Sequence, residues 1–229
     1  MHHVVVESWS RRASPLHARD ARAKLGALLV FLIAVSTTAP ESQTAFALYS
    51  ALLLMAILFA RLPITALLRR ALLVLPFSAT FGLITWLGGN PMRAVSLGEK
   101  SFLSGLAALL LVATTPLAEL MRGLESLRVP RSLLLVIEFV YRYLFVISEQ
   151  AQHMRLAARS RGSSFRASAG ALGVLFTRSW ERADGIYYAM LARGFNGRFP
   201  SFTAGRFVIA DAAFLIVASG AAIAVRVVM

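Results

Sequence analysis

The stretch TAFALYSALLLMAILFA, residues 44–60, contains no charged side chain. Its length is close to the ~20 residues that a helix needs to cross the apolar core of a bilayer. Four other runs of 14 to 19 residues are similarly apolar, the last interrupted only by Asp211: residues 25–39, 71–87, 102–115 and 207–225. The pattern predicts an all-α integral membrane protein with about five transmembrane helices, the third of them kinked at Pro76.

The composition indicates the same fold class. Hydrophobic residues make up 58% of the 229 residues, and charged residues make up 15%, against ~25% in an average soluble domain. Such a chain has too few polar side chains to cover a soluble enzyme, and its high apolar content excludes disorder. Because the chain has no cysteine, disulfides, thiolate metal sites and cysteine nucleophiles are also excluded.

The distribution of basic residues predicts the orientation in the membrane. Residues 1–24 carry five basic side chains, the connection at 40–43 carries none, and residues 116–206 carry thirteen arginines. By the positive-inside rule, we expect the amino-terminal arm and the long segment to be cytoplasmic and Met229 to be outside. The chain then divides into a basic arm at 1–24, four transmembrane helices at 25–115, a cytoplasmic region of helices at 116–206 and a last transmembrane helix at 207–229.

Residues 132–148 are apolar enough to form a sixth transmembrane helix, in addition to the five predicted above. They contain Glu138 and Arg142, and each would cost ~2.5–3.5 kcal/mol near the centre of a bilayer. These two lie on one stripe of a helix together with Arg131 and Glu149. We therefore expect a helix that lies against the membrane or beneath the spans, with Glu138 and Arg142 paired.

Two predicted helix ends in the long segment have similar sequences. One is Ala157-Ala158-Arg159-Ser160-Arg161-Gly162, and the other is Leu191-Ala192-Arg193-Gly194. An arginine in the last turn complements the helix dipole, and glycine is a common C-cap, so both can be simple caps. The alternative is that each end presents a guanidinium to carboxylates of a partner protein. In that case Arg182, on the same stripe of the helix as Arg193, belongs to the docking face.

Several kinds of functional site are missing from the sequence. The only lysines are Lys24 and Lys100, and neither lies in a phosphate-binding P-loop. No catalytic motif, clustered carboxylates or substrate site is evident, which indicates a non-enzyme with no cofactor or metal of its own. We expect Asp211 to pair with Arg206 or with another loop arginine. An intramembrane enzyme that acts on lipid phosphates is the weaker alternative, because no nucleophile accompanies the arginines.

One segment resembles a known family. Arg178-Ser179-Trp180-Glu181-Arg182-Ala183-Asp184, followed by residues 189–198, is similar to the second signature of the T components of energy-coupling-factor (ECF) transporters, closest to the cobalt-type CbiQ branch. Phe139-Val140-Tyr141-Arg142 and residues 154–162 resemble the stretch leading to the first signature. Residues 20–25 and 113–116 resemble that family as well.

The resemblance implies a membrane coupling subunit that works with two ABC-type ATPase subunits and a substrate-binding membrane subunit of the S or CbiM type. The family's motifs at the ends of the coupling helices correspond to Ala192-Arg193-Gly194 and to either Ala158-Arg159-Ser160 or Ser160-Arg161-Gly162. ATP and magnesium would then be used by the ATPase subunits. The implied cargo is cobalt or nickel, with biotin or another vitamin as the alternative, and the implied location is the bacterial inner membrane, with membrane lipid around the spans and no nucleic acid partner.

Overall fold

The computed structural model describes residues 14–162, 165–195 and 208–228, and only the backbone of residues 165–169. Every regular element among them is helical, which confirms the all-α prediction. The helices are α1 (Ala21–Thr37), α2 (Gln43–Phe59), α3 (Ile64–Ala71), a 3₁₀ turn (Leu72–Val74), α4 (Leu75–Leu87), α5 (Pro91–Thr114), α6 (Leu117–Ser126), α7 (Arg131–Ser160), α8 (Phe165–Ala192) and α9 (Ile209–Val228).

The chain forms two compact units. The first, Met1–Arg128 with Gly205–Met229, contains α1 to α6 and α9. The second, Val129–Ala204, contains α7 and α8, which pack against each other.

Three helical stretches are long and apolar enough to cross a membrane, judged by length and composition over the described residues. They are Ile64–Leu87, Pro91–Thr114 and Ile209–Val228, and the apolar helix Gln43–Phe59 is shorter. The 30-residue helix α7 does not belong to this group, and the expectation that residues 132–148 do not cross stays a prediction. In the third predicted span, the 3₁₀ turn Leu72–Val74 precedes Pro76. Since proline has no N–H to donate to Leu72, the change of helix type at this point has a direct cause.

The core of the first unit is built around Tyr49 of α2, which is fully buried. Its ring packs edge-to-face on Phe31 of α1, with centroids 5.6 Å apart. Its hydroxyl donates to the carbonyl of Ala222 on α9 at 3.4 Å and lies 3.3 Å from the hydroxyl of Thr38. A buried hydroxyl without partners costs about 1–3 kcal/mol. These contacts therefore connect α1, α2 and α9 at low cost.

Helix α6 packs closely on α1 because of a small residue at the contact. A Cβ added to Gly123 would meet the Cδ1 of Leu25 at 3.1 Å and the Cβ of Ala21 at 3.2 Å. A small residue at a contact allows two helix backbones to approach closely. This contact places α6 in the first unit.

Candidate functional site

Helices α7 and α8 end in the same backbone conformation. Gly162 has a φ of +68° and Gly194 has a φ of +79°, in the left-handed region where glycine has no Cβ penalty. The N–H of Gly162 donates to the carbonyl of Arg159 at 3.1 Å, and that of Gly194 donates to Leu191 at 2.9 Å. The prediction that a glycine C-cap ends each helix is therefore confirmed.

Arg161 and Arg193 occupy equivalent positions in these two helix ends. Each directly precedes the glycine, and their N–H groups donate to Ala158 at 3.2 Å and to Met190 at 3.1 Å, respectively. Arg159 lies two residues earlier, where α8 has a leucine. The backbone geometry thus matches Arg161 with Arg193, whereas the sequence had left Arg159 and Arg161 as alternatives.

The side chains of Arg161 and Arg193 are exposed, and neither has an ion-pair partner within the part of the chain that the structure describes. Large apolar side chains are exposed near both ends. Leu156 of α7 is 61% exposed, Tyr188 of α8 is 67% exposed and Leu191 is 44% exposed. Arginine together with aromatic and aliphatic side chains is typical of protein interfaces.

A shallow groove between α7 and α8 extends this surface within the second unit. Arg182, Ile186 and Ala189 line the groove together with Gln150 of α7. The sequence placed Arg182 on one stripe of α8 with Arg193, and the groove shows that Ile186 and Ala189 share a face with Arg182. The stripe offers a mixed basic and apolar surface along the last three turns of α8.

The predicted pair between Glu138 and Arg142 is not formed. Both lie on α7, but the ion pairs among the described residues do not include them. Arg142 is exposed and Glu138 is half-buried. An exposed pair of this spacing gains only ~0.3–0.5 kcal/mol, which is too little to hold two flexible side chains in one geometry.

The structure shows contacts of Asp211 with the amino-terminal arm, which the sequence did not predict. Its carboxylate is buried and accepts the N–H of Asp20 at 3.1 Å and the N–H of Val208 at 3.1 Å. The guanidinium of Arg19 is 4.0 Å away. Arg206 lies outside the described residues, so the predicted pair with it stays a prediction. Asp211 therefore caps the start of α9 and holds the amino-terminal arm, because two backbone donors converge on its carboxylate.

The two lysines form contacts that the sequence analysis missed. Lys24, in the first turn of α1, donates from Nζ to the carbonyl of Thr114 at the end of α5, at 3.0 Å. Lys100 of α5 donates to the carbonyls of Ser36 and Thr38 at the end of α1, at 2.9 and 2.7 Å. A lysine of α1 thus caps the C-terminus of α5, and a lysine of α5 caps the C-terminus of α1. The available signal was the rarity of lysine, which accounts for two of 24 basic residues.

Within the described residues, no group of three or more histidine, aspartate or glutamate side chains could hold a metal ion. The pair His2 and His3 lies outside them. The exposed guanidinium groups of Arg161 and Arg193 in the second unit can bind acidic groups.

Comparison with known proteins gives one family match: residues 12–203 match the model of the family described as cobalt transport protein, CbiQ. The cobalt transport protein CbiQ of Rhodobacter capsulatus is 28% identical over 72% of this chain and 74% of its own length. The nickel permease LarQ of Lactiplantibacillus plantarum is 30% identical over 53% of this chain and 46% of its own.

A third relative is the putative fused cobalt transport protein CbiMQ of Methanocorpusculum labreanum. It is 30% identical over 42% of this chain, which corresponds to 17% of its own length. The chain spans about half the length of most of the curated relatives that it matches.

Proposed function

Because the chain belongs to the CbiQ family of cobalt transport proteins, we propose that it is the membrane coupling subunit of an ATP-driven importer of the ECF type. Its role is to transmit the movement of two ABC-type ATPase subunits to a substrate-binding membrane subunit. The names of the relatives favour cobalt or nickel as the cargo over biotin or another vitamin. ATP and magnesium are bound by the ATPase subunits, and this chain supplies contacts only.

The observation that carries the proposal is the equivalence of the two helix ends. Arg161 and Arg193 stand at the same position before a left-handed glycine, and both side chains are exposed. Two equivalent guanidinium groups suit two equivalent ATPase subunits, each offering carboxylates to one of them. A rigid cap at each helix end fixes the direction from which the guanidinium approaches, so less side-chain entropy is lost on docking.

The length of the helices suits a mechanical role. Helix α7 has 30 residues and α8 has 28, so each is ~40–45 Å long at 1.5 Å per residue. A force applied at the arginine end of such a helix displaces the whole element, because its hydrogen bonds run along its full length. In this mechanism the second unit receives the movement of the ATPases, and the first unit holds the chain in the membrane.

The membrane partner is proposed to be a CbiM-like subunit that captures the cargo. The fused relative, whose printed name combines CbiM and CbiQ, supports this pairing. The positive-inside rule favours a cytoplasmic amino terminus, so that the arginine-rich segment faces the ATPases. The proposed location is the bacterial inner membrane.

The test is to reconstitute the chain in vesicles together with the two ATPase subunits and the CbiM-like subunit that are encoded in the same genome. The proposal expects ATP-dependent entry of labelled cobalt or nickel that is lost when this chain is omitted. It also expects that Arg193→Glu abolishes entry while the variant stays in the membrane with the CbiM-like subunit bound. Uptake without this chain, or normal uptake by Arg193→Glu, would contradict the coupling role.

A further inference from the structure

A small cavity of about 200 Å³ lies between α2 and α5 in the first unit. Glu99 of α5 lines it, next to Gln43 and Ser50 of α2, and Phe46 and Leu103 of the buried core lie beside them. The neighbouring residue Lys100 contacts the C-terminal carbonyls of α1. The cavity is therefore at the end of the first unit opposite to the amino-terminal arm.

The half-buried side chain of Glu99 has one oxygen, Oε2, that is fully buried and has no hydrogen-bond partner within the described residues. An ionised carboxylate that leaves water without a partner is energetically costly, so buried carboxylates normally bind a cation or accept hydrogen bonds. A donor from outside the described residues would satisfy this atom.

The basic residues near Glu99 do not line the cavity. Lys100 donates to the carbonyls of α1, and Arg226 of α9 donates from Nε to the hydroxyl of Thr37 at 3.3 Å. Arg93 lies six residues before Glu99 on α5, about 240° around the helix axis. None of these three lines the cavity.

The polar side chains that line the cavity are those of Glu99, Gln43 and Ser50. The hydroxyl of Ser50 donates to the carbonyl of Phe46 at 2.8 Å, so its lone pairs remain available, and Gln43 offers both an acceptor oxygen and an NH₂ donor. One carboxylate with two neutral polar groups is a poor set for Mg²⁺ or Ca²⁺, which take six or more oxygen ligands. It suits a group with several N–H donors, such as a guanidinium or an ammonium.

We propose that this cavity receives an arginine or lysine side chain of the CbiM-like membrane subunit, which donates to the carboxylate of Glu99. The inference rests on the proposed function, since it needs that partner. Charge complementarity supports it. The pocket contains a carboxylate oxygen without a partner, which suits a cationic group, and the nearby cations Lys100 and Arg226 bind other groups of this chain. Ionisable residues at membrane depth are usually paired, and a neighbouring membrane subunit can supply the pair.

The experiment uses the chain co-expressed with its genome's CbiM-like subunit and two ATPase subunits and purified through a tag on this chain. Glu99→Arg and Glu99→Gln are compared with Glu41→Arg and Glu41→Gln, because Glu41 is an exposed glutamate in the α1–α2 connection at the same end. Quantitative mass spectrometry gives the ratio of each subunit to the chain. Melting temperatures of the chain alone identify variants that are folded.

The expected result is a roughly tenfold loss of the CbiM-like subunit with Glu99→Arg, which sets like charges against each other. Glu99→Gln, which keeps the shape and loses the charge, is expected to cause about a threefold loss. The Glu41 variants retain the subunit, and all variants retain the ATPases. If Glu99→Arg does not insert into the membrane, the retention of the CbiM-like subunit by Glu99→Gln alone tests the proposed contact.

Retention of the CbiM-like subunit at the wild-type level by the folded Glu99 variants would overturn the inference and leave the proposed function intact. Failure of the wild-type chain to retain that subunit would instead remove the proposed function, and this inference with it. A lipid amine is tested with the chain alone in phosphatidylcholine vesicles with and without phosphatidylethanolamine. Stabilisation of the wild type, but not of Glu99→Gln, by the ethanolamine lipid would assign the site to a lipid and overturn the inference.

Discussion

The ammonium of Lys24 donates a hydrogen bond to the carbonyl of Thr114, 3.0 Å away, and so connects the first turn of α1 to the last turn of α5. Lys100 makes the reverse connection to Thr38 at 2.7 Å. Lys24 and Thr38 are fourteen residues apart, as are Lys100 and Thr114. The two antiparallel helices therefore carry matched caps, and the axial position of one against the other is set at both ends.

Loss of the Lys24 cap should destabilise the first unit. Lys24 is 5% exposed and its contact with Thr114 is buried, so Lys24→Met leaves a buried carbonyl without a donor and should cost about 1–3 kcal/mol. The measurement is the melting temperature of the purified chain in detergent. Lys100→Met is the matched variant, and we expect a smaller loss because part of its contact is exposed. Equal melting temperatures for wild type and Lys24→Met would contradict the role of the cap.

The two arginines at the end of α7 should differ in their effect on ATPase binding. If docking uses the C-cap position, Arg161→Glu should weaken retention of the ATPase subunits as strongly as Arg193→Glu, by ~2–5 kcal/mol. Arg159→Glu should change it by less than ~1 kcal/mol, as expected for a charge at a helix end. Arg193→Lys should fall between wild type and Arg193→Glu, because an ammonium cannot form a bidentate fork. The measurement is the amount of ATPase that co-purifies, and the reverse order of Arg159 and Arg161 would refute the assignment.

Alanine at the helix-ending glycine should disturb coupling without affecting the membrane unit. Gly194→Ala places a Cβ at a φ of +79°, at a cost of about 1–2 kcal/mol. This change should shift the guanidinium of Arg193 and lower the ATPase affinity. Gly173→Ala on the same helix is the control, since this residue lies outside the groove and its Cβ would meet nothing within 4 Å, and alanine favours a helix. ATPase affinity is the readout, and a greater loss with Gly173→Ala than with Gly194→Ala would argue against this explanation.

The carboxylate of Asp211 should hold the amino-terminal arm in place. Asp211→Asn keeps one acceptor oxygen but turns an NH₂ group toward a backbone N–H, so one of the contacts with Asp20 and Val208 is lost. We expect a loss of about 1–3 kcal/mol in stability and faster protease cleavage near residues 14–20. Glu41→Gln, at an exposed position, serves as the control. Unchanged cleavage of the arm in Asp211→Asn would count against this anchor.

The orientation can be tested directly, because the chain has no cysteine to give a background signal. A cysteine introduced at position 42 should react with an impermeant reagent added to intact cells, and a cysteine at position 163 should not. Position 163 lies outside the described residues but within the segment expected to be cytoplasmic. Labelling at 163 would instead favour residues 132–148 as a sixth crossing.

Local sequence was sufficient for the helix ends and the fold class. Glycine after an arginine-containing last turn predicted where α7 and α8 end, because the left-handed conformation strongly favours glycine and involves only neighbouring residues. Uncharged runs such as residues 44–60 predicted apolar helices, because crossing a bilayer depends on length and composition. The loss of helical regularity ahead of Pro76 followed from its missing N–H.

Contacts between distant residues could not be derived in this way. The sequence offered thirteen arginines as partners for Asp211 in the long segment, but the structure brings the backbone of Asp20 and the side chain of Arg19 to it. Either Arg159 or Arg161 satisfied the sequence pattern. Only the backbone hydrogen bonds at the two helix ends showed that Arg161 is the residue equivalent to Arg193.

The sequence by itself determined that this protein is helical, membrane-embedded and arginine-rich in one long segment, because length, hydropathy and glycine placement act over a few neighbouring residues. Only the tertiary structure decided which residues meet across the fold: Lys24 with Thr114, Lys100 with Thr38, and Asp211 with the arm. The physical reason is that a hydrogen bond depends on distances of about 3 Å and on direction. Two residues ninety positions apart reach that distance only after the helices have packed.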